Sequence, residues 1–405
     1  MKTITRTFSI RVKGHASEIL QTLGAFSSAC NIASKYAFDN KVFAAVPLQY
    51  SLYHTLRDKF KLKAQMTCSV FRTVAAAYYG SDLATKNKRR KQLSVFKANA
   101  MLLQETRDWS FTRGKLSINT LSGRIKITPE IGFHQSQYMD GTWKYGAATL
   151  VNRRGKIFLN ISCSKEVPDS LPADNIVGVD IGLNYIAVAS NIENKTIFVG
   201  GGKVKDRNNH YRRVRTSLQK KGTRGAKRVL RKLSGKQKRF QRDVNHCVSK
   251  KLVQFSVDSG RSLIALEDLK NIRTRTKHRK KQRAEFHGWS FYQLRNFIQY
   301  KAEARSLEVV LVDPRNTSKG CSRCGNVEDG QRKRHSFKCK SCGFELHSDL
   351  NASRNIALKA RLQRQDFCSP GFPSITPEVA SVDGEARKGI ETEGSYKPST
   401  FVVGN

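Results

Sequence analysis

The stretch IVGVDIGLNYIAVAS, residues 176–190, is a run of β-branched and small apolar residues interrupted by one carboxylate, Asp180. Its Val and Ile content and its length read as buried strand, turning near Gly182. An isolated carboxylate is costly to bury, so Asp180 requires either a turn that carries it to solvent or a cation that meets it. The surrounding chain makes the second option pressing: its 405 residues hold 74 Lys and Arg against 32 Asp and Glu, a formal net charge of +42.

Charge on that scale opposes compaction and calls for a polyanionic partner, with nucleic acid as the first candidate and an anionic membrane as the rival. No run of 18 apolar residues is present, and the opening MKTITRTFSIRVKG alternates like a strand without the apolar core of a secretion signal. The expectation is an intracellular protein with no membrane partner. At this length two or three cores are expected.

On the N-terminal side of the opening stretch, residues 3–12 alternate as a strand. The segment that follows places Ile19, Leu20, Leu23, Phe26, Cys30, Ile32 and Tyr36 at spacings of three and four, a helix with one buried face. Helical patterning is expected to continue to about residue 104. From about 107 to 167 short alternating runs with turn signals indicate a small antiparallel barrel or sheet. The aromatics Tyr36, Phe38, Phe43, Tyr50, Tyr53 and Phe71 fall at helical spacing, which fits core positions or bases stacked on the helices. PDSLPADN, 168–175, reads as a linker.

On the C-terminal side, KTIFVGG continues the strand hairpin, a basic helical region runs from about 208 to 258, and SLIALE forms a further strand. The helix FYQLRNFIQYKAEAR then leads into a last strand, LEVVLVD. Strands alternating with helices give an α/β domain whose sheet is covered on both faces. Residues 203–242 contain seventeen Lys or Arg. Arg212, Arg213, Arg215, Lys220, Lys221, Arg224, Lys227, Arg228, Arg231 and Lys232 are the candidate phosphate contacts, with a solvated helix face as the alternative. A second basic run, 273–283, contains Arg273 and Arg275 and reads as a lid hinged near Gly288. The Gly-, Ser- and Pro-rich segment from 365 onward reads as a disordered tail.

Nine cysteines include one ordered cluster: Cys321 and Cys324, fourteen residues, then Cys339 and Cys342, each pair followed directly by a glycine. Two such knuckles supply four thiolates to one tetrahedral centre, which suits a single structural Zn²⁺ and leaves no open coordination position. Arg332, Lys333, Arg334 and Lys338 between the knuckles suit contact with nucleic acid.

Two more acids fall where apolar runs meet solvent: Glu267 closes SLIALE, and Asp349 opens the helical DLNASRNIALKAR. Three carboxylates at a sheet edge suit hard ions, and a pair of Mg²⁺ ions can stabilise both the attacking and the leaving oxygen of a phosphodiester. Each acid also has a plain structural reading: Asp180 as a strand-end turn residue, Glu267 with Asp268 as a solvated strand terminus, Asp349 as a helix N-cap.

GVDIGLNYIAVAS, IALEDLKNI and HSDLNASRNIA, with the four-cysteine ribbon just before the third, resemble the RuvC-like motifs of the TnpB family, transposon-encoded RNA-guided DNA endonucleases related to miniature type V CRISPR effectors. The resemblance implies a multidomain α/β plus β architecture. In it, residues 173–319 and 345–364 form an RNase H-like RuvC domain, and 320–344 a zinc-ribbon insertion that binds target nucleic acid. Residues 1–14 and 105–172 would be an oligonucleotide-binding wedge barrel, with 15–104 the helical recognition lobe inserted in it and 365–405 the tail. It further implies that Asp180, Glu267 and Asp349 are catalytic and hold two Mg²⁺. The implied partners are a transposon-derived guide RNA and double-stranded target DNA beside a short flanking motif, in a prokaryotic, nucleoid-associated setting. The chain departs from many relatives just before Asp349, where His347 and Ser348 stand in place of an acid or Arg. A miniature CRISPR effector, a binding-only RNA-guided regulator and a DDE-type transposase are the alternatives that share parts of this pattern.

Overall fold

The computed structural model describes residues 1–84, 92–170, 173, 175–182, 184–260, 262–269 and 290–363. Two units make up the chain, one running to residue 171 and including 303–306, the other holding the rest of the described residues. No described helix is long and apolar enough to cross a membrane. The tail from 365, the 273–283 run with Arg273 and Arg275, and Gly288 lie outside the described residues.

The first unit opens with strand β1 (Lys2–Val12), then helices α1 (Ala16–Asp39), α2 (Ala45–Phe60) and α3 (Ala64–Ala84). In α1, Ile19, Leu23, Phe26, Cys30, Ala33 and Ala37 recur every three or four residues and are all buried, while Leu20 lies outside the stripe and is exposed. Six strands follow: β2 (Ala100–Leu103), β3 (Trp109–Thr112), β4 (Lys115–Thr120), β5 (Gly123–Ile127), β6 (Lys144–Arg153) and β7 (Lys156–Val167), with a single turn of helix, α4 (Phe133–Ser136), before β6. They build two antiparallel sheets, in the orders β1-β7-β6-β2 and β3-β4-β5. Two hairpins close through Arg-Gly pairs, Arg113-Gly114 and Arg154-Gly155, with φ positive at both residues, the turn whose twist matches that of the flanking strands.

Helical patterning does not extend to residue 104: Ala100–Leu103 is a strand paired with β6, because its alternate residues Met101 and Leu103 are needed inside. Helices and sheets share one core, with Phe8, Phe26, Leu48, Phe71, Met101, Trp109 and Leu159 in the same buried cluster. Phe71 is thus core, whereas Tyr50 is 86% exposed and Phe38 40%.

The second unit is built on a five-stranded mixed sheet. Its strands are β8 (Asn175–Asp180), β9 (Tyr185–Asn191), β10 (Thr196–Gly200), β11 (Ser262–Glu267) and β12 (Val309–Val312), in the order β10-β9-β8-β11-β12. The β10–β9–β8 part is antiparallel, and β11 runs parallel to both β8 and β12. Helix α5 (Gly202–Lys221) and helix α6 (Arg224–Asp258) connect β10 to β11, and α7 (Phe291–Glu303) precedes β12. The basic stretch is a pair of helices, as its charge pattern suggests. Gly222, at φ 64°, ends α5 in the left-handed region, and the Thr223 hydroxyl accepts from the Ala226 amide to start α6.

Side-chain alternation gives the sheet two faces. Val177, Val179, Ile264 and Leu266 pack with Val244, Val248 and Leu252 of α6 and with Leu294 and Ile298 of α7. Ile176, Leu263, Ala265 and Val312 pack on the other side with Ile356, Ala357 and Ala360 of α8 (Ser348–Gln363). Between β12 and α8 lies the cysteine segment, with a small sheet β13 (Arg332–Lys333), β14 (Ser336–Lys338) and β15 (Glu345–His347).

Candidate metal and nucleic-acid sites

Period-two alternation decides where Asp180 and Glu267 lie. On β8, residues 176 and 178 face α8, so Asp180, two further on, belongs to the same face. On β11, Leu263 and Ala265 face α8, and Glu267 follows them. The parallel register pairs Leu266 with Val179, which brings Glu267 and Asp180 to neighbouring strand ends, strands being about 4.8 Å apart. Both acids are half-buried.

Asp349 reaches the same place by a different route. It sits in the first turn of α8 and is 8% exposed. Gly178 lets the helix come down on β8: a Cβ there would lie 2.0 Å from the Ser353 carbonyl oxygen and 2.6 Å from the Ala357 nitrogen. The hydroxyls of Ser190 and Ser353, 2.8 Å apart, fasten the helix to β9 as well. Every side chain other than hydrogen at 178 would lift α8, and Asp349 with it.

The acids act on one another electrostatically. Burial, then the carboxylates of Glu267 and Asp349, push Asp180 up to about 8, against the pull of Arg332 and the Ile181 amide. Burial raises Glu267, opposed by the Thr317 hydroxyl and the charges of Lys359 and Arg332. Arg332 donates to Asp349 at 2.8 Å. Acids held up in this way favour a cation between them.

A second layer holds these groups. Thr317 donates to Glu267 at 2.5 Å, and Asn355 of α8 donates to the Thr317 carbonyl at 2.9 Å and to that of Gly320 at 2.7 Å. Asn351, one helical turn earlier, donates to the Gly320 carbonyl at 2.7 Å and accepts from the Ser322 amide at 2.9 Å. Sequence reading missed Thr317, Arg332, Asn351 and Asn355 as members of this site. The two asparagines at i and i+4 in DLNASRN were the available signal, since that spacing presents both amides on one helix face. Asp268, the next residue, pairs with Arg295 at 3.0 Å.

The four cysteines come together as their spacing implies. The Sγ atoms of Cys321 and Cys342 are 3.8 Å apart and those of Cys324 and Cys339 3.6 Å, and all four donor atoms lie within 4.8 Å of one another. Gly325 and Gly343, at φ 76° and 68°, donate back to the carbonyls of Cys321 and Cys339, closing each knuckle. Four thiols at one point fit tetrahedral zinc. Among the described residues, one other group of such side chains has its donor atoms within 4.8 Å of one another: His335, His347 and Asp349. The donor atoms of the three acids lie further apart than this.

Of the basic candidates, Arg212, Arg213, Arg215, Lys220 and Lys221 lie on α5, and Arg224, Lys227, Arg228, Arg231 and Lys232 on α6. Arg212 and Arg215 are half-buried, and Arg215 donates to Gln237 at 2.5 Å across the helix pair; the other eight are exposed. Over 224–239, Ala226 is the buried residue of α6, so this end of the pair is a cationic arm with little core beneath it.

A mixed sheet carrying acids at adjacent strand ends, followed by a four-cysteine ribbon and a helix that returns to the sheet, defines the class. Within it, residues 291–356 match the family model Cas12f1-like, TNB domain, a span that takes in α7, β12, the whole ribbon and the start of α8. Over 236 residues the chain is 32% identical to the CRISPR-associated endodeoxyribonuclease Cas12f1 of Sulfoacidibacillus thermotolerans, covering 54% of each protein. It thus spans about half the length of that relative. Over 268 residues it is 28% identical to the TnpB-like protein MJ0751 of Methanocaldococcus jannaschii, covering 62% of this chain and 93% of that one. A cryo-EM structure of a Cas12f1–sgRNA–target DNA complex overlaps 87% of this chain and 99% of its own at 18% identity, with a TM-score of 0.38. Over these spans the chain is similar to TnpB-like and Cas12f1 proteins, in agreement with the motif resemblance.

Proposed function

We propose that this protein is an RNA-guided DNA endonuclease whose chemistry occurs at Asp180, Glu267 and Asp349 on an RNase H-like RuvC domain. The observation that carries the reading is the convergence of three acids from β8, β11 and α8 on one sheet face, with burial and mutual repulsion holding Asp180 up to about 8. Such a group is poorly suited to structure and well suited to receiving a cation.

The donor set fits hard ions, since Asp180 and Glu267 offer only carboxylate oxygens. The three acids would hold two Mg²⁺, which when bound supply activation of water and charge for the departing oxygen. The protein's own share is positioning. The strand ends fix Asp180 and Glu267, Thr317 orients the Glu267 carboxylate through its hydroxyl, and Arg332 neutralises Asp349 while the helix start holds it. Zn²⁺ on Cys321, Cys324, Cys339 and Cys342 would keep the ribbon folded, leaving its basic edge free to meet target nucleic acid.

The cationic arm of α5 and α6 supports binding of an RNA guide, since a dense row of Arg and Lys follows a phosphate backbone without reading its sequence. We assign the wedge to 1–14 and 105–172 together with β2, which pairs with β6 and so moves out of the expected 15–104 span, the recognition helices to the rest of that span, the nuclease domain to 173–319 and 345–364, and the target-binding ribbon to 320–344. A binding-only regulator would not need the three acids. Protein purified with its bound RNA is expected to cut target DNA in Mg²⁺. Asp180→Ala should keep the RNA and lose cutting by at least about a thousandfold, as removal of a central catalytic group does. Full cutting by the variant removes the acids from the mechanism. Absence of a defined RNA, with strand-transfer products, identifies a transposase instead.

A further inference from the structure

His335 and His347 play no part in the site proposed above, yet they stand beside it. His335 lies in the two-residue turn between β13 and β14, where Lys333 pairs with Ser336 and Arg334 adopts a left-handed φ of 54°, a conformation that costs a side chain of this size. That turn lays the His335 ring on His347, with centroids 5.6 Å apart and planes at 24°. His347 is half-buried and is held edge-on by Tyr185 and Phe198, at 5.2 and 5.3 Å. A donor atom of each imidazole and one Asp349 oxygen lie within 4.8 Å of one another.

We propose that His335, His347 and Asp349 form a second transition-metal site, taking a borderline divalent ion of the Zn²⁺, Co²⁺ and Ni²⁺ class. Two imidazoles and one carboxylate, from a turn, a strand end and a helix start, match what such ions prefer and what Mg²⁺ does not. The ring-on-ring and ring-edge contacts supply the orientation that metal-bound imidazoles ordinarily get from neighbours. Two contacts compete for the same donors: Arg332 pairs with Asp349 at 2.8 Å, and the Asp349 amide donates to Nδ1 of His347 at 3.3 Å. Both draw on the groups a metal would use and so oppose loading, and the site binds more weakly than the four thiols and exchanges its ion. Because Asp349 is shared, zinc here withdraws it from the acid cluster and slows cutting, a consequence that rests on the proposed function while the binding itself does not.

The test uses the untagged full-length protein carrying one Zn²⁺ per chain. Calorimetric titration with Zn²⁺, and Co²⁺ titration followed by absorption, should show one further ion in the wild type. His335→Ala and His347→Ala should each weaken that event at least tenfold while retaining the first zinc. His335→Asn serves as the control if the alanine variant lowers the melting temperature. Equal further binding by the His335→Ala/His347→Ala double variant, or no further ion in the wild type, overturns the proposal. Zinc should also inhibit Mg²⁺-dependent cutting by the wild type more than by the double variant. If neither cuts at all, the function is wrong, and the titration still decides the metal site.

Discussion

The ribbon and the acid cluster of the second unit, the two cation sites proposed for this protein, are assembled in opposite ways. All four ribbon thiols come from residues 321–342, and two glycine-closed knuckles bring each pair together locally. The three acids come from residues 180, 267 and 349, and nothing local brings them together. Strand register sets two of them side by side, and a helix allowed down onto a glycine supplies the third. A local site should fail alone, whereas a site assembled by the fold should fail with it.

The largest expected effect tests the second half of that contrast. Gly178→Ala puts a Cβ 2.0 Å from a backbone oxygen of α8 that cannot step aside. The second unit should lose about 3 kcal/mol in denaturant melts, the upper range for overpacking, and cutting should fall with it although no acid is altered. Wild-type stability in this variant would break the account of how Asp349 is placed.

Cys339→Ser should have a narrower effect. Zinc content should fall from about one ion per chain to well below half, because a closed structural site needs all four ligands. The ribbon should become protease-sensitive while the far-UV circular dichroism of the remaining chain stays close to wild type. Loss of the whole second unit would show that the two sites are less independent than their construction indicates.

A third test is a dependence on pH. Asp180 is raised from its ordinary 3.8 to about 8, so the folded protein favours the neutral carboxyl. The stability this contributes is complete below the ordinary value and is lost as pH rises through about 8. Burial of Glu267 works in the same direction. In magnesium-free buffer the melting temperature of the wild type should decline across this interval, and Asp180→Asn should flatten the decline. Parallel curves for the two proteins would mean that Asp180 is ionised throughout.

How far each site could be read from sequence follows from the same difference. Cys321 to Cys342 were legible as ligands because a CxxC knuckle and its glycine encode their own geometry. Asp180, Glu267 and Asp349 could be named only as acids at the ends of apolar runs, each with a competing structural reading. Thr317 and Arg332 carry no local signal, since each acts on a partner far away in sequence. The strand at Ala100–Leu103 went unread because short-range periodicity is overridden by a partner strand that arrives from elsewhere.

The amino-acid sequence by itself determined the alternating apolar strands, the α1 stripe, the two cysteine knuckles and the excess of positive charge, all properties of neighbours a few residues apart. Only the tertiary structure decided that positions 180 and 267 share a face, that Asp349 descends onto it over Gly178, that Arg332 answers the acids, and that two histidines stack beside them. The reason is physical: local geometry is set by bonds and short spacings, whereas the acids at 180, 267 and 349 meet only once strand register and helix packing bring together residues more than 80 positions apart.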